Sequence, residues 1–252
     1  MAVMLPWMRA THWLVGAVLA GCAPSGGESG TGGGSGFGGS AGAGGVAGAS
    51  NAALVQDWAR QVTLGTEYGG DAAVVARWTE SPTLSVMAAH AEGEQVLGQF
   101  LPELSKLISP LAIDVVSPGD ESADIHVFFV PLSDFDAIGE KYGFPIAPGN
   151  YGYFYLFWDG NHALTRSYVL LAIDRLQGAE LQHFTLEEVT QSFGLANDSP
   201  AFADSIFYAD GADGGNASAL SALDRRLVRF VYSHTQPGDG AAEFDSAFVD
   251  NF

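Results

Sequence analysis

Across 252 residues, acidic side chains outnumber basic ones 29 to 10, giving a formal net charge of −19. Such a surface repels nucleic acid and anionic lipid headgroups, which argues against a DNA- or RNA-binding role. A single cysteine, Cys22, excludes any intramolecular disulfide.

The chain opens like a secretory signal. Arg9 is the only full positive charge ahead of an unbroken apolar run, Trp13 to Ala20. A bilayer span needs roughly 20 apolar residues, so this run fits a signal h-region instead. It ends in Leu19-Ala20-Gly21-Cys22, which resembles the bacterial lipobox, where the cysteine becomes the new N-terminus and is acylated. Residues 1–21 are therefore expected to be a lipoprotein signal peptide, with Cys22 as the lipidation site and the membrane as a partner through that anchor. An ordinary signal peptide with an incidental cysteine is the alternative. By resemblance to Gram-negative lipoproteins, Ala23 in place of Asp favours the outer membrane over the inner.

Residues 22–50 are dominated by Gly, Ser and Ala. They hold too little apolar surface to bury a core and are expected to be a flexible tether. Its r.m.s. reach would be about 30 Å. Residues 51–252 then remain for one folded domain.

Within that domain, Leu54, Trp58 and Val62 fall on one face of a helix predicted over residues 51–65. Residues 76–88 read as a strand interrupted at Pro82. Residues 93–108 read as an amphipathic helix carrying Leu97, Phe100, Leu101, Leu104 and Leu107. Ile125 to Val130 is an apolar strand. Tyr151 to Trp158 and Tyr168 to Ile173 are strands joined as a hairpin through Asp159-Gly160-Asn161. A helix through Leu186 to Phe193 stops at Gly194, and Leu220 to Tyr232 is the final amphipathic helix of a mainly helical tail. The order implies an α+β domain: a small mixed sheet backed by helices, with a helical C-terminal part.

Thr185 to Pro200, TLEEVTQSFGLANDSP, is the most informative stretch. One reading is structural. Thr185-x-x-Glu188 has the form of a capping box, Glu187 and Glu188 suit a helix N-terminus, and Gly194 suits a C′ position. The other reading is chemical. Zinc peptidases of the zincin type carry His-Glu-x-x-His on a helix, with the Glu as general base. In that frame Glu188 keeps the base position, while Glu187 and Gln191 replace both histidines. A neutral amide is a poor zinc ligand. The strand–helix–strand–hairpin order before this helix also resembles the zincin N-terminal subdomain.

Other features have bland readings beside sharper ones. His183 precedes Glu187 by four and Gln191 by eight, so an earlier helix start would line all three on one stripe with Asp198 nearby, as a His/Glu/Asp metal site would need; a surface histidine beside a helix start is the commoner reading. Residues 210–216 have a calcium-loop composition without EF-hand spacing. His126 lies in an apolar strand and reads as a core residue. Asn197-Asp198-Ser199-Pro200 reads as a turn whose carboxylate could face Glu188.

These pieces resemble the bacterial domain-of-unknown-function family 2927, whose members are secreted or lipid-anchored. The resemblance rests on Leu64-Gly65-Thr66-Glu67-Tyr68-Gly69, Arg77-Trp78, the run Glu187 to Ser199, Ser205-Ile206-Phe207, and Leu223 to Tyr232. Phe184 stands where many relatives carry a cysteine, and the loop from Tyr208 to Ser218 is richer in glycine than theirs. The resemblance implies a zincin-like fold and no known reaction. The expectation is a domain that binds a peptide or envelope component beside its E-E-x-x-Q helix, with Gln191 and Asn197 in the binding surface and no metal or cofactor. The alternative is a hydrolase using Glu188 as general base with a non-standard or absent metal, with Glu187 or Asp198 as its partner or as ligand to a hard cation.

Overall fold

The computed structural model describes residues 19–20, 44–64, 73–210 and 214–252. Cys22, most of the tether and residues 65–69 lie outside them. The elements run β1 (Leu19–Ala20), α1 (Gly44–Leu64), β2 (Thr83–Ala88), α2 (Ala91–Leu107), β3 (Asp114–Val115), β4 (Ile125–Val130), a 3-10 turn (Leu132–Asp134), α3 (Phe135–Tyr142), β5 (Gly152–Trp158), β6 (Leu164–Ala172), α4 (Ala179–Gln191), α5 (Ala222–His234) and α6 (Ala241–Asn251).

The strands form one mixed sheet in the order β1-β5-β6-β4-β2-β3. The β6–β4, β4–β2 and β2–β3 pairs are parallel, whereas β5 runs antiparallel to β6. This is the α+β class read from the sequence. β4 sits in the middle, all six of its residues are buried, and its apolar run IHVFFV suits a strand covered on both faces. The hairpin forms where Asp159 predicts it. Its carboxylate accepts from the amides of Asn161 and Ala163 at 2.8 and 3.0 Å, closing the loop between β5 and β6.

The two faces of the sheet carry different cores. The larger holds Phe154, Leu156, Val169 and Leu171 against the apolar sides of α1, α2, α4 and α5. The smaller holds Phe128, Tyr153, Tyr155, Tyr168 and Leu170 against Phe135 of α3 and Phe144. Successive residues of β5 and β6 alternate between them, as the pleat requires.

Three elements differ from the sequence reading. α1 begins at Gly44 rather than Asn51, inside the expected tether. α3 was not anticipated; it is a short helix closed by Gly143 in the left-handed conformation, φ 81°. The Leu220 to Tyr232 helix is not the last. α6 follows it, held by Phe244 and Phe248 packing edge-on to Phe230 at 5.3 and 5.5 Å and by Arg60 of α1, paired with Asp245 at 2.7 Å.

Candidate functional site

α4 carries the E-E-x-x-Q frame, and its start corrects the capping-box reading. The helix begins at Ala179 with Gly178 as its N-cap. Thr185 is therefore interior and buried, and its hydroxyl donates back to the Leu181 carbonyl at 2.6 Å. A threonine inside a helix finds that i−4 partner readily. The first turn has no capping side chain, which is why Thr185 attracted the assignment. A capping box does exist in the protein, at Ser221 and Asp224 of α5.

The earlier start aligns His183, Glu187 and Gln191 along one stripe. His183 Nε2 lies 3.6 Å from Glu187 Oε2, and the two side chains are 2 and 0 % exposed. Both imidazole nitrogens also lie 2.8 Å from carbonyl oxygens, of Ala217 and Gly214. The His183 ring is held between two backbone carbonyls, with Nε2 also near the Glu187 carboxylate. His183 thus fastens the loop after residue 213 to α4. Asp213, part of the calcium-like composition, lies outside the described residues.

Gln191 donates its amide to Asp198 Oδ1 at 2.8 Å. Asn197 points elsewhere, donating to the Gln61 carbonyl of α1 at 3.2 Å, while Ser199 donates to the Gln61 side chain at 2.9 Å. The N-D-S run is thereby split between the end of α4 and the flank of α1.

Glu188 is 1 % exposed and lies directly under β5. A β-carbon placed on Gly152 would collide with Glu188 Oε1 and would sit 2.7 Å from Phe184 Cδ1. The Glu188 carboxylate therefore fills the space that a side chain at position 152 would need. The frame does not fit a zinc ion. Glu187 faces His183, the Gln191 amide is committed to Asp198, and His183 turns both nitrogens to carbonyls. Tetrahedral zinc on such a helix takes its ligands from free imidazoles.

The other family-like residues form the frame around α4. Trp78 Nε1 donates to the Ser192 carbonyl at 3.1 Å, and Tyr232 OH donates to the Phe193 carbonyl at 2.9 Å. Arg77 donates to the Thr235 and Trp78 carbonyls, each at 3.1 Å, with its guanidinium 5.5 Å from the Tyr232 ring. Burial pushes the Tyr232 phenol well above its ordinary range. Gly194 has φ 96°, and a β-carbon there would strike the Ala76 carbonyl. Asp224 accepts from Ser205 Oγ at 2.6 Å, from the Ile206 amide at 3.0 Å and from the Ser221 amide at 2.7 Å. Ser205-Ile206 and the L-D-R-R run are thus two halves of one buried network.

Sequence reasoning missed Gly152, Tyr232 and Asp224. Only Asp224 had a local signal, the S-x-x-D spacing from Ser221.

Fold and site together define an α+β domain in which an acidic helix is buried against the antiparallel edge of a mixed sheet. The family model described as "Protein of unknown function (DUF2927)" matches residues 51–248, and the chain belongs to that family. No curated protein matches the chain. Among solved structures, that of myroilysin is similar, at 14% sequence identity and a TM-score of 0.39, covering 64% of this chain and 83% of that one.

Proposed function

We propose that this protein is a lipid-anchored envelope domain that binds an extended peptide along the outer edge of β5 and performs no zinc chemistry. The observation that carries the reading is β1. Leu19 and Ala20 lie antiparallel on β5, in register with Tyr155 and Phe154. An edge that accepts one strand presents main-chain donors and acceptors to another, which is strand addition.

The sequence supplies the reason for that edge to open. Leu19 and Ala20 fall inside the expected signal peptide, and cleavage before Cys22 would remove them. The mature domain, held through Cys22, would then offer β5 to a peptide of the envelope. On this reading Glu188 is a packing residue beneath the edge, buried and close against Gly152.

Amide hydrogen exchange at β5 tests this, with the full chain compared to the chain lacking residues 1–21. Removing the segment raises exchange at Phe154, whose amide faces the outer edge, and leaves Tyr155, whose amide faces β6, protected. A synthetic peptide copying residues 15–21 restores the protection of Phe154. Equal protection of Phe154 in both chains, unaffected by the peptide, would sink the reading.

A further inference from the structure

A second site lies on the opposite face of the sheet, away from α4. A cavity of about 630 Å³ is lined by Tyr142, Phe157, Thr165, Arg166 and Tyr168. Its floor follows from register. Phe157 and Arg166 are direct partners across β5 and β6, and Tyr168 pairs with His126 across β6 and β4. Tyr142, at the end of α3, forms one wall, its ring 4.8 Å from that of Tyr168. Phe157 lies 5.9 Å from Tyr168, edge-on.

Arg166 is the informative residue. Several other arginines are engaged: Arg60 pairs with Asp245 at 2.7 Å, Arg175 with Asp174 at 3.5 Å, Arg225 with Glu103, Arg77 donates to carbonyls, and Arg226 lies over the Phe252 ring. Among the described residues, no hydrogen bond or ion pair engages the half-buried Arg166 guanidinium. In a chain of net charge −19, a guanidinium with no ion pair that shares a cavity lining with three aromatic side chains is suited to an anionic ligand.

His126 backs the cavity without lining it and is 0 % exposed. Its ring lies 5.1 Å from Tyr168 and 5.7 Å from Tyr142, directly behind two of the lining side chains.

We infer that this cavity binds a planar aromatic group bearing a carboxylate, the ring against Tyr142, Phe157 and Tyr168 and the carboxylate on Arg166. Aromatic faces favour offset or edge-on rings, and the planar guanidinium fork matches a carboxylate in two parallel hydrogen bonds. The inference is independent of the β5-edge reading, since it uses the other face of the sheet. The ligand chemistry belongs equally to a free aromatic acid and to a peptide ending in an aromatic residue.

Calorimetric titration of the full chain separates these cases, with indole-3-acetate, tryptamine, the tripeptide Gly-Gly-Trp and its C-terminal amide as probes. Indole-3-acetate binds and tryptamine does not, because the latter presents an ammonium to Arg166. Binding of Gly-Gly-Trp but not its amide adds the chain end as a source; failure of both tripeptides leaves the free acid as the ligand. Arg166→Gln weakens the acid by at least roughly tenfold, the scale of a hydrogen bond to a charged group. Arg166→Lys, which keeps the charge and loses the fork, falls between. Thermal melting of each variant checks that the fold persists. Tryptamine binding as well as the acid, acid affinity unchanged in a folded Arg166→Gln, or no acid binding at all would each overturn the inference.

Discussion

Gln191 donates its side-chain amide to Asp198 Oδ1 at 2.8 Å, so the last position of the E-E-x-x-Q frame and the acid of the N-D pair hold each other. In a zinc helix the residue at that position would be a histidine aimed at the metal. Here it is the clasp that fixes the chain leaving α4. Gln191→Ala is expected to lower stability by about 1 kcal/mol, because it removes a hydrogen bond to a part-buried carboxylate. Urea denaturation measures it, and an unchanged midpoint would contradict the clasp.

Two glycines are required by close approach. Gly194→Ala must hold a β-carbon at φ 96° against the Ala76 carbonyl, and Gly152→Ala must displace Glu188 and Phe184. Each is expected to cost more than about 1 kcal/mol. Gly119, also at positive φ but with open space around it, is the control for strain alone. Losses at Gly194 and Gly152 no greater than at Gly119 would refute the packing argument.

Tyr232 governs part of the alkaline stability. Its folded phenol holds its proton above the ordinary value of 10.0 because it is buried. The unfolded chain therefore releases that proton first. Stability present below pH 10.0 is lost as pH rises beyond it. Tyr142 and Tyr155 are raised in the same direction, so Tyr232→Phe should reduce the alkaline slope without abolishing it. Denaturation midpoints between neutral and alkaline pH would show this; an unaltered slope would contradict it.

His126 acts at the other end of the scale. Burial, followed by the charge of Arg166, holds its imidazole below the ordinary 6.5, with Lys141 acting the same way and Glu121 opposing. A depressed folded value means stability is present above pH 6.5 and lost as pH falls below it. His126→Phe keeps the aromatic packing and removes the titration. Its stability should therefore fall less than that of the wild type between roughly pH 8 and roughly pH 5. An identical acid loss in the variant would contradict this.

Much of the fold stood in plain view in the sequence. β4 was recognisable from IHVFFV because a central parallel strand is apolar on both faces. α2 was recognisable from the spacing of Leu97, Phe100, Leu101 and Leu104. α4 was the failure of boundary. Its outer turn lacks a cap, and a well-formed T-x-x-E inside it imitated one. The stripe of His183, Glu187 and Gln191 was foreseen only as a conditional, and it became real once the helix began earlier. What could not be read locally was everything set by distant segments. Gly152 is silent without Glu188 beside it, Tyr232 without Trp78 and Phe193, and Arg166 without Tyr142. Those contacts join residues far apart in the chain, and no spacing rule reports them.

On the proposed reading, the E-E-x-x-Q helix supports a binding edge and does not catalyse. The deciding experiment takes one peptide and records both affinity and cleavage, in the wild type and in Glu188→Gln. Equal affinity for the two proteins and no cleavage by either is the expected result. Cleavage by the wild type that disappears in Glu188→Gln while binding persists would contradict it and make Glu188 the base of a hydrolase.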